Sequence, residues 1–67
     1  MPVVTVSINK GRPVEKKRAL VKEVTEVVAR NLDVNPEAVI FIIDEYDSDD
    51  WAMGGLLHSD KLASVSA

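Results

Sequence analysis

Val39-Ile40-Phe41-Ile42-Ile43 is apolar at every position. So short a run, β-branched and aromatic and without alternation, reads as a strand covered on both faces. Towards the N-terminus, Asp33, Asn35 and Pro36 break the chain with turn formers. Before them the period lengthens. Leu20, Val24, Val27, Val28 and Leu32 recur at helical spacing, flanked by Val21, while Glu15, Lys16, Lys17, Lys22, Glu23, Glu26 and Arg30 supply a wet side. This amphipathic helix runs from Val14 to Leu32 and opens on Pro13, whose missing N–H costs nothing in a first turn. Further back, Val3-Val4-Thr5-Val6-Ser7-Ile8 alternates with a period of two and reads as another strand, ended by Asn9, Lys10 and Gly11. Strand, long helix and strand make a βαβ unit with parallel strands. The expected fold class is α/β, of the α+β sandwich type.

Beyond Glu45 lies an acidic loop, Tyr46-Asp47-Ser48-Asp49-Asp50, and then Trp51-Ala52-Met53-Gly54-Gly55. The double glycine predicts a turn leading Leu56-Leu57 into a short C-terminal hairpin. Residues 58–67 read as a loosely ordered or oligomer-contacting tail. The chain is thus expected to be one domain, 1–67, with its core in about 2–57.

Two arguments predict self-association. One helix covers only one face of a two-stranded sheet, so the other face of the Val39–Ile43 strand needs a neighbouring subunit. Area leads to the same place. Ordering 67 residues costs on the order of 100 kcal/mol. A compact monomer of this size, exposing ~4,200 Å², buries about 6,400 Å², roughly 60% of it apolar, which stabilises by about the same amount. The chain has no cysteine, so no disulfide tips that balance.

Composition narrows the function classes. At 46% hydrophobic and 28% charged the chain is globular rather than disordered. A net charge of −3 argues against nucleic acid as a partner, and no apolar run reaches the ~20 residues of a membrane span. With no cysteine, thiolate chemistry and Cys-based metal sites are excluded and the cytoplasm is the default location. His58 is the single histidine, so no His/Cys metal cluster exists. Asp47, Asp49 and Asp50 resemble part of a calcium loop but lack its central glycine and terminal glutamate, leaving a solvated acidic surface. No metal and no cofactor is expected.

Pro2 stands apart. A proline after the initiator methionine permits methionine removal, which leaves a secondary amine at the terminus. An ordinary α-amino group titrates near ~8. At the head of a strand, in an apolar setting near a cation, its protonated form is disfavoured and the pKa falls. A neutral amine near pH 7 is then a general base, held rigidly by the pyrrolidine ring.

Over residues 2 to 57 the sequence resembles the 4-oxalocrotonate tautomerase family. The resemblance rests on Pro2-Val3-Val4-Thr5-Val6-Ser7-Ile8, Gly11-Arg12, Lys16-Lys17-Arg18-Ala19-Leu20-Val21 with Val24-Thr25, the Val39–Glu45 strand and Trp51-Ala52-Met53-Gly54-Gly55, in that order and spacing. It implies βαβ protomers assembled as a hexamer, a trimer of dimers, with a role in aromatic degradation. It implies a cofactor-free keto–enol tautomerase, 2-hydroxymuconate tautomerase-like, acting on a small conjugated 2-hydroxy or 2-oxo acid. Pro2 is then the catalytic base, Arg12 binds a substrate carboxylate from an adjoining subunit, and Trp51 lines the apolar pocket. The sequence departs from the family at Ile40, where members acting on 2-hydroxymuconate carry a second arginine. Lys10 or a residue of a partner chain substitutes, or the substrate differs. Alternatives are a dehalogenase or hydratase of an unsaturated acid, with Pro2 as acid and Asp49 or Asp50 activating water, and a catalytically silent oligomeric module.

Overall fold

The computed structural model describes residues 1–66. Strand β1 (Val3–Asn9) leads through Gly11 and Pro13 into helix α1 (Val14–Leu32). A 3-10 turn at Pro36–Ala38 precedes strand β2 (Ile40–Tyr46), and a second at Ser48–Asp50 precedes the short strands β3 (Ala52–Met53) and β4 (Leu56–Leu57). Helix α2 (His58–Ser66) follows directly. β1 and β2 pair in parallel, from Val3 opposite Ile40 to Asn9 opposite Tyr46, and β3 and β4 form an antiparallel hairpin. The expected βαβ unit with a C-terminal hairpin is the observed architecture.

The punctuation of α1 follows its sequence. Pro13 sits extended at the N-cap, and its carbonyl accepts from Lys16 N at 3.1 Å. At the other end Asp33 turns left-handed, φ 57°, so that Asp33 and Val34 both donate to the Ala29 carbonyl. Asp tolerates this conformation better than most residues, and it closes the helix. The packed stripe runs through Lys17, Leu20, Val21, Val24, Thr25, Val28 and Ala29. Val27 and Leu32, expected on it, are instead 47% and 58% exposed. At 3.6 residues per turn Val27 lies roughly 100° from the centre of that stripe, and Leu32 lies in the last turn.

The sheet has two unlike faces. Val4, Val6 and Ile8, with Phe41, Ile43 and Glu45 opposite them, are half-buried. Glu45 receives Lys17 Nζ of α1 at 2.6 Å, which fixes the helix over this face. On the other face Val3, Ile40 and Ile42 are 57%, 42% and 43% exposed. The single chain is therefore a thin slab of 49 × 24 × 14 Å. It exposes 5132 Å², above the ~4,200 Å² of a compact monomer of its size. Its radius of gyration of 15.7 Å exceeds the ~11 Å expected for a compact chain. Ala29 is the one buried residue among those described, and even it keeps 6% of its surface exposed. A stretch apolar on both sides was expected to be covered on both, and one chain covers one.

Of the two readings of the tail, loosely ordered or oligomer-contacting, the first does not hold. Residues 58–66 form helix α2 rather than a loosely ordered segment, while Ala67 lies outside the described residues. This stretch holds no glycine or proline and carries the good helix formers Lys61, Leu62 and Ala63, so its backbone can propagate from the hairpin. It lacks a clear apolar stripe, which is why the pattern did not announce it.

The Lys17–Glu45 pair is about a quarter exposed on each side, between the regimes of surface and buried ion pairs. Lys17→Met and Glu45→Gln each lower stability by about 1–2 kcal/mol at fixed protein concentration. The double variant loses less than the sum of the two, as read by denaturant titration.

Candidate active site

Parallel pairing decides where the site residues fall. Both strands begin at one end of the sheet and finish at the other. Pro2 heads β1, half-buried, and its carbonyl accepts from Ile40 N at 3.0 Å. Its ring therefore lies at the end where Val3 and Ile40 pair. Met1 before it is 89% exposed. While Met1 remains attached, the Pro2 nitrogen is an amide without basicity.

Arg12 and Trp51 belong to the other end. Arg12 Nη1 donates to the Asn9 carbonyl at 2.8 Å and to Asn9 Oδ1 at 3.1 Å, which folds the guanidinium back over the exit of β1. Lys10 N donates to the Tyr46 carbonyl at 2.8 Å, tying that exit to the end of β2. The Tyr46 and Trp51 rings tilt against one another, 6.1 Å between centroids at 37°. Seven strand residues separate the two ends, about 20 Å at ~3.3 Å per residue. One chain thus brings Arg12 and Trp51 to the same end of the sheet and leaves Pro2 at the opposite one.

The remaining candidates cluster with Trp51. Asp49 and Asp50 are exposed in the 3-10 turn just before it. Lys10, the in-chain cation expected as a substitute for an arginine at position 40, pairs with Asp47 at 3.1 Å on the surface. His58 is half-buried and its N–H donates to the Trp51 carbonyl at 2.7 Å. Among the described residues no group of three His, Cys, Asp or Glu could hold a metal ion. Among the described residues no helix is long and apolar enough to cross a membrane.

A cavity of about 250 Å³ opens at this end, lined by Trp51, Met53, Leu56, His58 and Lys61. The hairpin turn shapes it: Gly54 and Gly55 both have positive φ, 63° and 83°, as a two-residue turn between twisted strands requires. That turn sets Met53 opposite Leu56, and α2 then brings His58 and Lys61 to the rim, three residues apart on one helix face. Reading the tail as loose hid Lys61. The only signal that could have found it is the His58–Lys61 spacing in a segment free of glycine and proline.

Comparison with known proteins fits this arrangement. The tautomerase enzyme family matches residues 2–61. A probable tautomerase of Listeria monocytogenes serotype 4b is 45% identical over 60 residues, 90% of this chain and 98% of that protein. A crystal structure of a 4-oxalocrotonate tautomerase homologue superposes with a TM-score of 0.86 at 47% identity, covering 90% of this chain and 95% of that one. A heterohexamer 4-oxalocrotonate tautomerase from Chloroflexus aurantiacus J-10-fl superposes with a TM-score of 0.85 at 27% identity, over 90% of this chain and 97% of that one. The chain belongs to the tautomerase enzyme family, in its 4-oxalocrotonate tautomerase group.

A Cβ added at Gly55 meets nothing within 4 Å, so its cost is that of the left-handed backbone alone. Gly55→Ala lowers stability by about 1–2 kcal/mol. It also shifts the emission of Trp51, the only tryptophan, because the cavity wall moves with the turn.

Proposed function

We propose that this chain is a cofactor-free keto–enol tautomerase acting on a small conjugated 2-hydroxy or 2-oxo acid, with the Pro2 amine as base once Met1 is removed. The observation that carries the reading is the setting of Pro2: half-buried at the head of β1, hydrogen-bonded through its carbonyl to Ile40, at the apolar end of the sheet. Such surroundings disfavour the ammonium form and leave a neutral nitrogen. That nitrogen takes the proton of the enol hydroxyl as the carbonyl forms, and returns it to carbon at the far end of the conjugated system.

Arg12 binds the substrate carboxylate through its planar fork, and Trp51 forms an apolar wall that keeps water from the reacting atoms. These two lie about 20 Å from Pro2 within one chain, so the working site combines the Pro2 end of one protomer with the Arg12 and Trp51 end of another. The uncovered sheet face, with Val3, Ile40 and Ile42, is the surface for that association. A hexamer built as a trimer of dimers is the arrangement we favour, in keeping with the heterohexameric relative. The absence of cysteine suits the reducing cytoplasm.

The test follows the ultraviolet signal of 2-hydroxymuconate and of enol phenylpyruvate, after mass spectrometry has established that Met1 is gone. Pro2→Ala lowers kcat/KM by about 10²-fold or more. In the native protein kcat/KM rises with pH as the amine loses its proton, with a midpoint below that of an ordinary α-amino group. Retained Met1, or full activity in Pro2→Ala, overturns the reading. Dilution should also lower the unfolding temperature, because the assembly supplies contacts the single chain lacks.

A further inference from the structure

We infer that Lys61, assisted by His58, is a substrate-specificity site in the Trp51 cavity, holding a second carboxylate of a planar dianionic acid. The inference rests on the tautomerase reading for its substrate, and its geometry lies within a single chain. Trp51 and Lys61 line one cavity within one chain. A substrate seated in this cavity meets both Trp51 and Lys61.

The lining is two-sided. Trp51, Met53 and Leu56 make apolar walls, and His58 and Lys61 bring nitrogen donors from the first turn of α2. About 250 Å³ is small for a drug-sized ligand and suits an acid of a few carbons. Three carboxylates are close by in sequence, Asp49 and Asp50 before Trp51 and Asp60 on α2, and none of them lines the cavity. Neither Lys61 nor His58 forms a side-chain ion pair among the described residues. Lys10 pairs with Asp47 on the surface and does not line the cavity, and position 40 holds an apolar side chain about 20 Å away at the far end of the sheet. Of the cations considered for a second carboxylate, Lys61 is the one facing the same cavity as the aromatic wall.

Trp51 reports on the cavity directly, since it is the only tryptophan. Its fluorescence is titrated with trans,trans-muconate and with sorbate, six-carbon dienoic acids that differ only in a carboxylate replacing a methyl group. The native protein binds muconate about tenfold or more tightly than sorbate, the effect of one charge-assisted contact. Lys61→Gln removes that preference and leaves sorbate binding unchanged, and Lys61→Arg restores most of it. Equal affinity of the native protein for the two acids, an undiminished preference in Lys61→Gln, or no response of Trp51 to either acid overturns the inference. The titration is repeated on Pro2→Ala. A preference that persists there while turnover is absent separates this site from the fate of the catalytic assignment.

Discussion

In a parallel pair joined by a helical crossover, both strands start at one end of the sheet and finish at the other, and no adjustment of side chains changes that. Here the ladder from Val3–Ile40 to Asn9–Tyr46 sets the whole layout of the molecule. Everything preceding a strand, Pro2 included, gathers at one end. Everything leaving a strand gathers at the other, where Arg12 folds over Asn9 and Trp51 stacks beside Tyr46. A reaction needing a base from the first group and a carboxylate anchor from the second cannot be completed inside one protomer. On the proposed reading the site is composite, and strand direction is the reason.

The same economy of elements leaves the protein thin. One helix held by the Lys17–Glu45 contact covers one face, and the other presents Val3, Ile40 and Ile42 to solvent. Ile40 belongs to both stories. It sits beside Pro2, keeping the base end apolar, and it is part of the surface available to a second protomer. A cation at that position would be close to the base end and far from the aromatic wall. With isoleucine there, the cations nearest the aromatic wall are at the other end of the sheet, where Arg12 and Lys61 lie. In the proposed reaction this separates the apolar surroundings of the Pro2 amine from the cations that would hold a carboxylate.

Much of this was legible in the residues themselves. Periodicity located β1, α1 and β2 closely because burial on one stripe or one face imposes a repeat of 3.6 or 2 on the sequence. Gly54-Gly55 announced the hairpin because positive φ is open to glycine and costly for other residues. Pro2 stands out by its own chemistry and Arg12 and Trp51 through the resemblance to a family, and their spacing in sequence says nothing of the distance between them. Helix α2 escaped notice because a short helix docked at its first turn needs no apolar stripe, and Lys61 was lost with it.

The amino-acid sequence by itself determined β1, α1, β2 and the hairpin, their order, the parallel pairing and the shortage of core, since each depends on local pattern and on chain length. Only the tertiary structure decided that Pro2 lies a full strand length from Arg12 and Trp51, and that Lys61 shares a cavity with Trp51. Those are facts about direction and about which turn of a helix faces which wall. Residue type and spacing are blind to them, because the same pattern of side chains is compatible with many relative placements until the backbone hydrogen bonds select one.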